Sequence, residues 1–374
     1  MKVLILSCNT GQGHNTAGKA VQTEFHRLGI ECEMMDALSF GPTLSARLIS
    51  GIHSKGVMHL PTVYGFGVST AKRLDKISKK HSVCYVANTT YAAALYEYIT
   101  ENGFDVIVNP HVFPSEAITR IRRKHHGSTF RTYFIATDYC YPPFLSDTDL
   151  DVYFIPHAAL AYQFVEAGLD ESSLVPCGIP TAEIFTTNTD RTEARRALGL
   201  PEEGNALLVM TGSMGYGNTE ELVDELLRRI PTDTWVMVMG GNNEKMKNSL
   251  RHKYKDDPRL FVIDYTTEVS LYMDAANILF TKPGGLSSTE AAVKGIPTIH
   301  TRPIPGWEEE NIAFFGKTGM SLYGANPEDQ VSHALYLLAN PWACEQMVEA
   351  QRNTVNRFAA RDICRYVLDD ANRS

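Results

Sequence analysis

Along this chain, short continuous apolar runs alternate with stretches in which apolar positions return every three or four residues and glycine marks the ends. Val3 to Ser7 is such a run, as expected for a parallel strand covered on both faces. It ends in Asn9-Thr10-Gly11-Gln12-Gly13-His14-Asn15, after which Ala17, Ala20, Val21, Phe25 and Leu28 recur at helical spacing and Gly29 stops the helix. Glu31 to Met35, Phe104 to Asn109, Arg131 to Thr137 and Asp151 to Pro156 read as further strands. Val175 to Pro180 closes the first half, and the polar stretch 181–205 reads as a linker with one short helix. Beyond it, Ala206 to Met210, Thr234 to Met239, Leu260 to Ile263 and Asn277 to Phe280 are strands, and 341–374 is helical. This alternation predicts an α/β protein of two Rossmann-like domains with parallel sheets, placed at 1–185 and 186–345, with 346–374 as terminal helices.

The densest chemistry lies at 281–311. An apolar lead-in runs into Thr281-Lys282-Pro283-Gly284-Gly285, and Ser287-Ser288-Thr289-Glu290 opens a helix that Gly295 closes. A strand, a Gly-Gly turn and a helix N-terminus make a cradle for an anionic group, because the first amides and the helix dipole point at whatever sits over the turn. Glu290, read as lying near that N-terminus, either caps the helix or accepts hydrogen bonds from sugar hydroxyls. Pro305-Gly306-Trp307-Glu308-Glu309-Glu310-Asn311 is a turn with a polar tip that starts another helix. The spacing alone fits an ordinary α/β unit equally well.

His14 stands where the first strand's carboxyl end opens onto the crevice of a doubly wound sheet. A histidine there can take a proton near neutral pH; the other reading is a loop histidine bonded to a backbone carbonyl. The G-x-G-H loop lacks the third glycine of a dinucleotide fingerprint. A second glycine-rich loop, Thr211 to Gly217, follows the strand ending at Met210.

Composition narrows the function. The net charge is −8, which argues against a nucleic-acid binder, yet residues 41–131 carry twelve Lys and Arg against five Asp and Glu. That basic stretch suits an anionic lipid surface, and residues 40–70 mix apolar side chains with Gly, Pro, Lys and His as a membrane-dipping lid would. No apolar run reaches 18 residues, so no spanning helix is expected, and Met1 to Cys8 is too short for a secretory signal. Seven cysteines without a C-x-x-C spacing point to a reducing cytoplasm. Asp147-Thr148-Asp149 is unconnected to the cradle and is assigned no metal.

Lys282-Pro283-Gly284-Gly285-Leu286-Ser287-Ser288-Thr289-Glu290-Ala291 and Pro305 to Asn311 resemble the donor signature of GT-B glycosyltransferases, in the branch of monogalactosyldiacylglycerol synthases and processive diacylglycerol glucosyltransferases. Trp307 departs from the usual Gln, which leaves the donor sugar open between glucose and galactose. The resemblance implies a GT-B fold whose two domains face across a cleft, with the terminal helices returning to the first domain. It implies an inverting, metal-independent transfer from a UDP-sugar to diacylglycerol, without a cofactor, by a cytoplasmic enzyme peripheral to the inner face of the membrane. His14 and Asp138 are then the catalytic candidates. Gly212, Ser213, Gly284, Gly285, Leu286, Ser287, Ser288, Glu290, Gly306, Glu308, Glu309 and Asn311 bind the donor, and Gly11, Gly13, His111 and Tyr139 line the acceptor side. Two alternatives remain: transfer to another lipid-linked acceptor such as a peptidoglycan precursor, and non-catalytic binding of a nucleotide sugar or lipid.

Overall fold

The computed structural model describes residues 1–8, 12–41, 85, 88–127, 129–210, 219–304, 306 and 308–373. The chain divides into two compact units: Met1–Ala182 with Ile304–Trp307 and Phe358–Ser374, and Glu183–Pro303 with Glu308–Arg357.

The first unit is built on β1 (Lys2–Ser7), β2 (Glu31–Asp36), β3 (Val106–Asn109), β4 (Arg131–Ile135), β5 (Val152–Ile155) and β6 (Leu174–Pro176). They form one sheet in the order β2-β1-β3-β4-β5-β6, every paired neighbour parallel. The apolar runs account for this, because alternate residues of each strand enter opposite layers. Leu4 and Leu6 pack with Ile107, Phe134 and Ile155 on one face. Val3 and Ile5 pack on the other with Val108, Tyr133 and with Val21 and Phe25 of α1 (Gln12–Arg27). The C-terminal helix Ala359–Ala371 joins this second face through Ile363, Cys364 and Val367. Arg131 Nη2 pairs with Asp370 Oδ2 at 2.6 Å, and Tyr133 Oη donates to the same oxygen at 2.7 Å, fixing that helix on the sheet.

The second unit holds β7 (Asn205–Met210), β8 (Thr234–Met239), β9 (Leu260–Ile263), β10 (Ile278–Thr281), β11 (Thr298–His300) and β12 (Leu322–Tyr323). Their order is β12-β11-β10-β7-β8-β9, again with parallel pairs. Both sheets therefore have a point where the chain switches its direction of growth, between β1 and β3 in the first and between β10 and β7 in the second. Connections leaving adjacent strands diverge at such a point and open a crevice at the carboxyl ends. Both candidate chemical elements lie there.

Candidate active site

In the first unit, β1 runs into α1 and β3 into α2 (Val112–Lys124), and the two connections meet. The helix begins at Gln12, so Gly13 and His14 occupy its first turn rather than a glycine loop. Ser7 Oγ donates to Asn15 Oδ1 at 2.6 Å, closing that turn onto the end of β1. His14 Nδ1 lies 2.8 Å from the Pro110 carbonyl oxygen and 2.9 Å from Thr137 Oγ1. A carbonyl oxygen can only accept, so Nδ1 carries the proton and the neutral ring keeps its lone pair on Nε2. Nε2 makes no hydrogen bond to any described residue. Burial lowers the proton affinity of the ring, and the Pro110 bond offsets this in part. The backbone bond considered above as the alternative to catalysis is thus present, and it engages the nitrogen that a base does not use.

The other first-unit candidates divide. His111 Nδ1 accepts the Phe113 amide at 3.1 Å as the N-cap of α2, and its ring stands edge-on to His14 with centroids 4.5 Å apart. Asp138 follows Thr137 and is partly buried, but the polar contacts of His14 Nδ1 are with Pro110 and Thr137, not with Asp138. Tyr139 is only 2% exposed, so its side chain is buried. Gly11 lies outside the described residues.

In the second unit, β10 delivers Lys282-Pro283-Gly284, and α3 (Gly285–Lys294) starts with Gly284 as an N-cap that has no side chain to fill the cap. Ser288 N–H bonds back to the Gly284 carbonyl at 3.0 Å, whereas the amides of Leu286 and Ser287 have no partner among the described residues. An open, positively polarised helix end results. Lys282 Nζ pairs with Glu308, the first residue of α4 (Glu308–Lys317), across the turn. A Cβ on Gly284 would stand 3.2 Å from that ammonium nitrogen, so the missing side chain lets the pair close over the turn. Asn311 is fully buried and donates from Nδ2 to the Pro283 carbonyl at 2.8 Å.

The contacts of the donor candidates are these. Glu308 and Asn311 brace the glycine turn, and Glu309 and Glu310 are exposed carboxylates at the start of α4. Ser288 is buried with Oγ 2.9 Å from His300 Nε2, while His300 Nδ1 meets Ser321 Oγ at 3.0 Å. Burial pushes His300 down to about 3, so this network is neutral, and the Ser288 hydroxyl serves the interior. Glu290 is the sixth residue of α3, not a first-turn cap, because the helix starts at Gly285, ahead of the serines. It is 8% exposed and makes no hydrogen bond to a described residue. Burial alone pushes its carboxyl up to about 8. As the i+4 neighbour of Leu286 and the i+3 neighbour of Ser287, it shares a helix face with the open amides. Gly306 has φ 132°, a backbone that a side chain rarely adopts. Gly212, Ser213 and Trp307 lie outside the described residues.

Sequence reasoning missed Lys282 as part of this site, although it stands inside the motif. Lys282→Met alone leaves Glu308 buried without its cation and is expected to destabilise the fold by about 2 kcal/mol, below a fully buried pair because Lys282 keeps 21% of its exposure. Adding Glu308→Met should restore most of that loss. Urea titrations of the single and double variants check it, and equal losses in both would contradict it.

The basic run of α2 is also not one surface. Arg122 pairs with Asp151 Oδ1 at 3.1 Å and donates to Thr132 Oγ1 at 2.8 Å. Arg123 reaches Tyr85 Oη at 3.3 Å with its guanidinium over that ring, although it is exposed, as are Arg120 and Lys124. Neutralising Arg120 and Lys124 should therefore reduce only the salt-sensitive part of sedimentation with anionic vesicles. Arg122→Gln should instead cost stability, about 1 kcal/mol. Of the lid segment 40–70, residues 42–70 lie outside the described residues. No helix among the described residues is long and apolar enough to cross a membrane, and none of their His, Cys, Asp and Glu side chains form a group of three or more placed for a metal ion.

Comparison with known proteins agrees with both halves. Residues 14–181 match the family profile described as monogalactosyldiacylglycerol (MGDG) synthase, and residues 190–354 that of glycosyl transferases group 1. A processive diacylglycerol beta-glucosyltransferase of Bacillus pumilus is 26% identical over 99% of this chain and 94% of its own. Among solved structures, Acinetobacter baumannii MurG superposes with a TM-score of 0.65 at 14% identity, covering 98% of this chain and 99% of its own. The UDP-GlcNAc 2-epimerase of Neisseria meningitidis gives 0.61 at 13%, covering 99% and 100%. These two likenesses are of fold.

Proposed function

This chain is a GT-B glycosyltransferase related to the diacylglycerol glucosyltransferases, and from that premise we propose that it moves glucose or galactose from a UDP-sugar to diacylglycerol with inversion at the anomeric carbon. The observation that carries the reading is Glu290. A buried carboxylate without a partner costs stability and is kept where a ligand completes it, and this one shares a helix face with open amides suited to a diphosphate. Its oxygens would accept the two ribose hydroxyls, while the Leu286 and Ser287 amides take up the charge that grows on the leaving diphosphate. Glu309, exposed at the start of α4, is the side chain that would reach the hexose. His14 Nε2 would remove the acceptor hydroxyl's proton as that oxygen attacks the anomeric carbon and the bond to UDP breaks.

The transfer is proposed to need neither metal nor cofactor, since amides and dipole meet the phosphate charge. The acceptor would come from an anionic membrane face, with the first unit as the lipid-binding half and no role for nucleic acid. MurG resembles this chain in fold only, so the peptidoglycan-precursor alternative gains no separate support. A non-catalytic binder would have no use for the open Nε2 of His14. Release of UDP on mixing the protein with UDP-hexose and dispersed diacylglycerol separates the readings: an enzyme turns over, whereas a binder retains the intact donor. Mass spectrometry of lipids from cells expressing the protein identifies the sugar and how many are added.

A further inference from the structure

We propose that Thr137 is a positioning residue for His14, holding its Nδ1 proton jointly with the Pro110 carbonyl so that Nε2 is presented as the base; this rests on the reading of His14 given above. The two oxygens come from different strands: Pro110 follows β3 directly, and Thr137 leaves the end of β4. Nδ1 lies 2.8 Å from one and 2.9 Å from the other. Their spacing is itself fixed, because Asn109 pairs in register with Phe134 and its fully buried side chain donates from Nδ2 to the Tyr133 carbonyl at 3.2 Å. Thr137 is 8% exposed, and its branched Cβ restricts the hydroxyl to few orientations.

The chemistry explains why two acceptors serve here. When Nε2 takes the acceptor's proton the ring becomes a cation in surroundings that disfavour charge, and hydrogen bonds from Nδ1–H strengthen at that moment. A carboxylate commonly fills this place, but it also holds the resting histidine protonated at higher pH. A carbonyl and a hydroxyl stabilise the cation less and leave the resting ring neutral. Among the described residues, His111 stands edge-on to His14 at 4.5 Å, and Asp138 is next in sequence to Thr137.

Thr137→Val keeps the shape and removes the hydroxyl. It should lower kcat about tenfold, as loss of one hydrogen bond to a developing charge does, with the donor KM unchanged. The acid limb of kcat/KM should move to lower pH, since the cation has lost a partner, and Thr137→Ser should restore both. In a His14→Ala background, Thr137→Val should have no further effect. An equal fall in both backgrounds, or an unmoved acid limb, would overturn the proposal. Should Thr137→Val fail to fold, nitrogen-15 titrations of His14 in the wild type, Thr137→Ser and Thr137→Ala decide it. The ring should take its proton at lower pH in Thr137→Ala than in the other two, and an equal titration in all three refutes the proposal. Those spectra need no substrate, so they stand apart from failure of the transfer reaction itself.

Discussion

Replacing His14 with alanine should lower kcat by about 10²- to 10⁴-fold, the range that a positioned general base supplies, and should leave UDP affinity unchanged. The argument is geometric. Nδ1 is occupied by Pro110 and Thr137, so Nε2 alone can receive a proton, and its position in the first turn of α1 disfavours a resting cation near the positive end of the helix dipole. Burial acts in the same direction. With the folded-state affinity below the ordinary value of 6.5, the ring stays unprotonated to lower pH than a free histidine. The acid limb of kcat/KM should therefore fall below pH 6.5 and vanish from the residual activity of His14→Ala. Donor binding is spared because α3 and α4 belong to the other unit. Steady-state kinetics from pH 5 to 9, beside UDP titration calorimetry, check both parts. Activity within tenfold of wild type would remove His14 from the chemistry.

The second large effect concerns Glu290. At pH 9 Glu290→Ala should weaken UDP binding about a hundredfold, the roughly 3 kcal/mol of two hydrogen bonds to a charged acceptor. Its pH dependence is more diagnostic. With the carboxyl pushed up to about 8, most of the free protein carries the proton at pH 7, and accepting two hydroxyls requires its release. Wild-type affinity should rise about tenfold between pH 7 and pH 9 and then level, whereas Glu290→Gln should be flat in that window. The same shift has a stability consequence. A carboxyl whose folded-state value lies above its unfolded one favours the fold below about 4.5, and that contribution is lost as pH rises through about 8. Unliganded Glu290→Gln should therefore melt higher than wild type at pH 9 and no differently at pH 4. Parallel calorimetric slopes for the two proteins would mean that Glu290 does not hold the ribose.

Much of this arrangement was legible before the structure. Val3 to Ser7 and Thr234 to Met239 announce buried parallel strands because both of their faces are apolar, and the glycine turn after Thr281 marks the cradle. The start of α3 was not legible: serines are the usual caps, and a helix capped by Gly284 carries no such signal. The contacts of Ser288, Glu308 and Asn311 were not legible because a motif tells which residues recur, not whether a side chain faces a ligand or its own turn. Only packing against His300, Lys282 and Pro283 decides that. Thr137 was passed over for its neighbour Asp138, because it reaches His14 across 123 residues of sequence, through the pairing of β1 with β3 and of β3 with β4. The basic run of α2 likewise conceals that Arg122 and Arg123 are tied to their own unit.

The most direct test of the account is reconstitution: purified protein, UDP-glucose or UDP-galactose, EDTA and liposomes containing diacylglycerol. The account predicts a β-linked hexosyldiacylglycerol from one of the donors, formed in step with UDP and abolished by His14→Ala. Absence of glycolipid with both donors, or a product formed only when a divalent metal is restored, would contradict it.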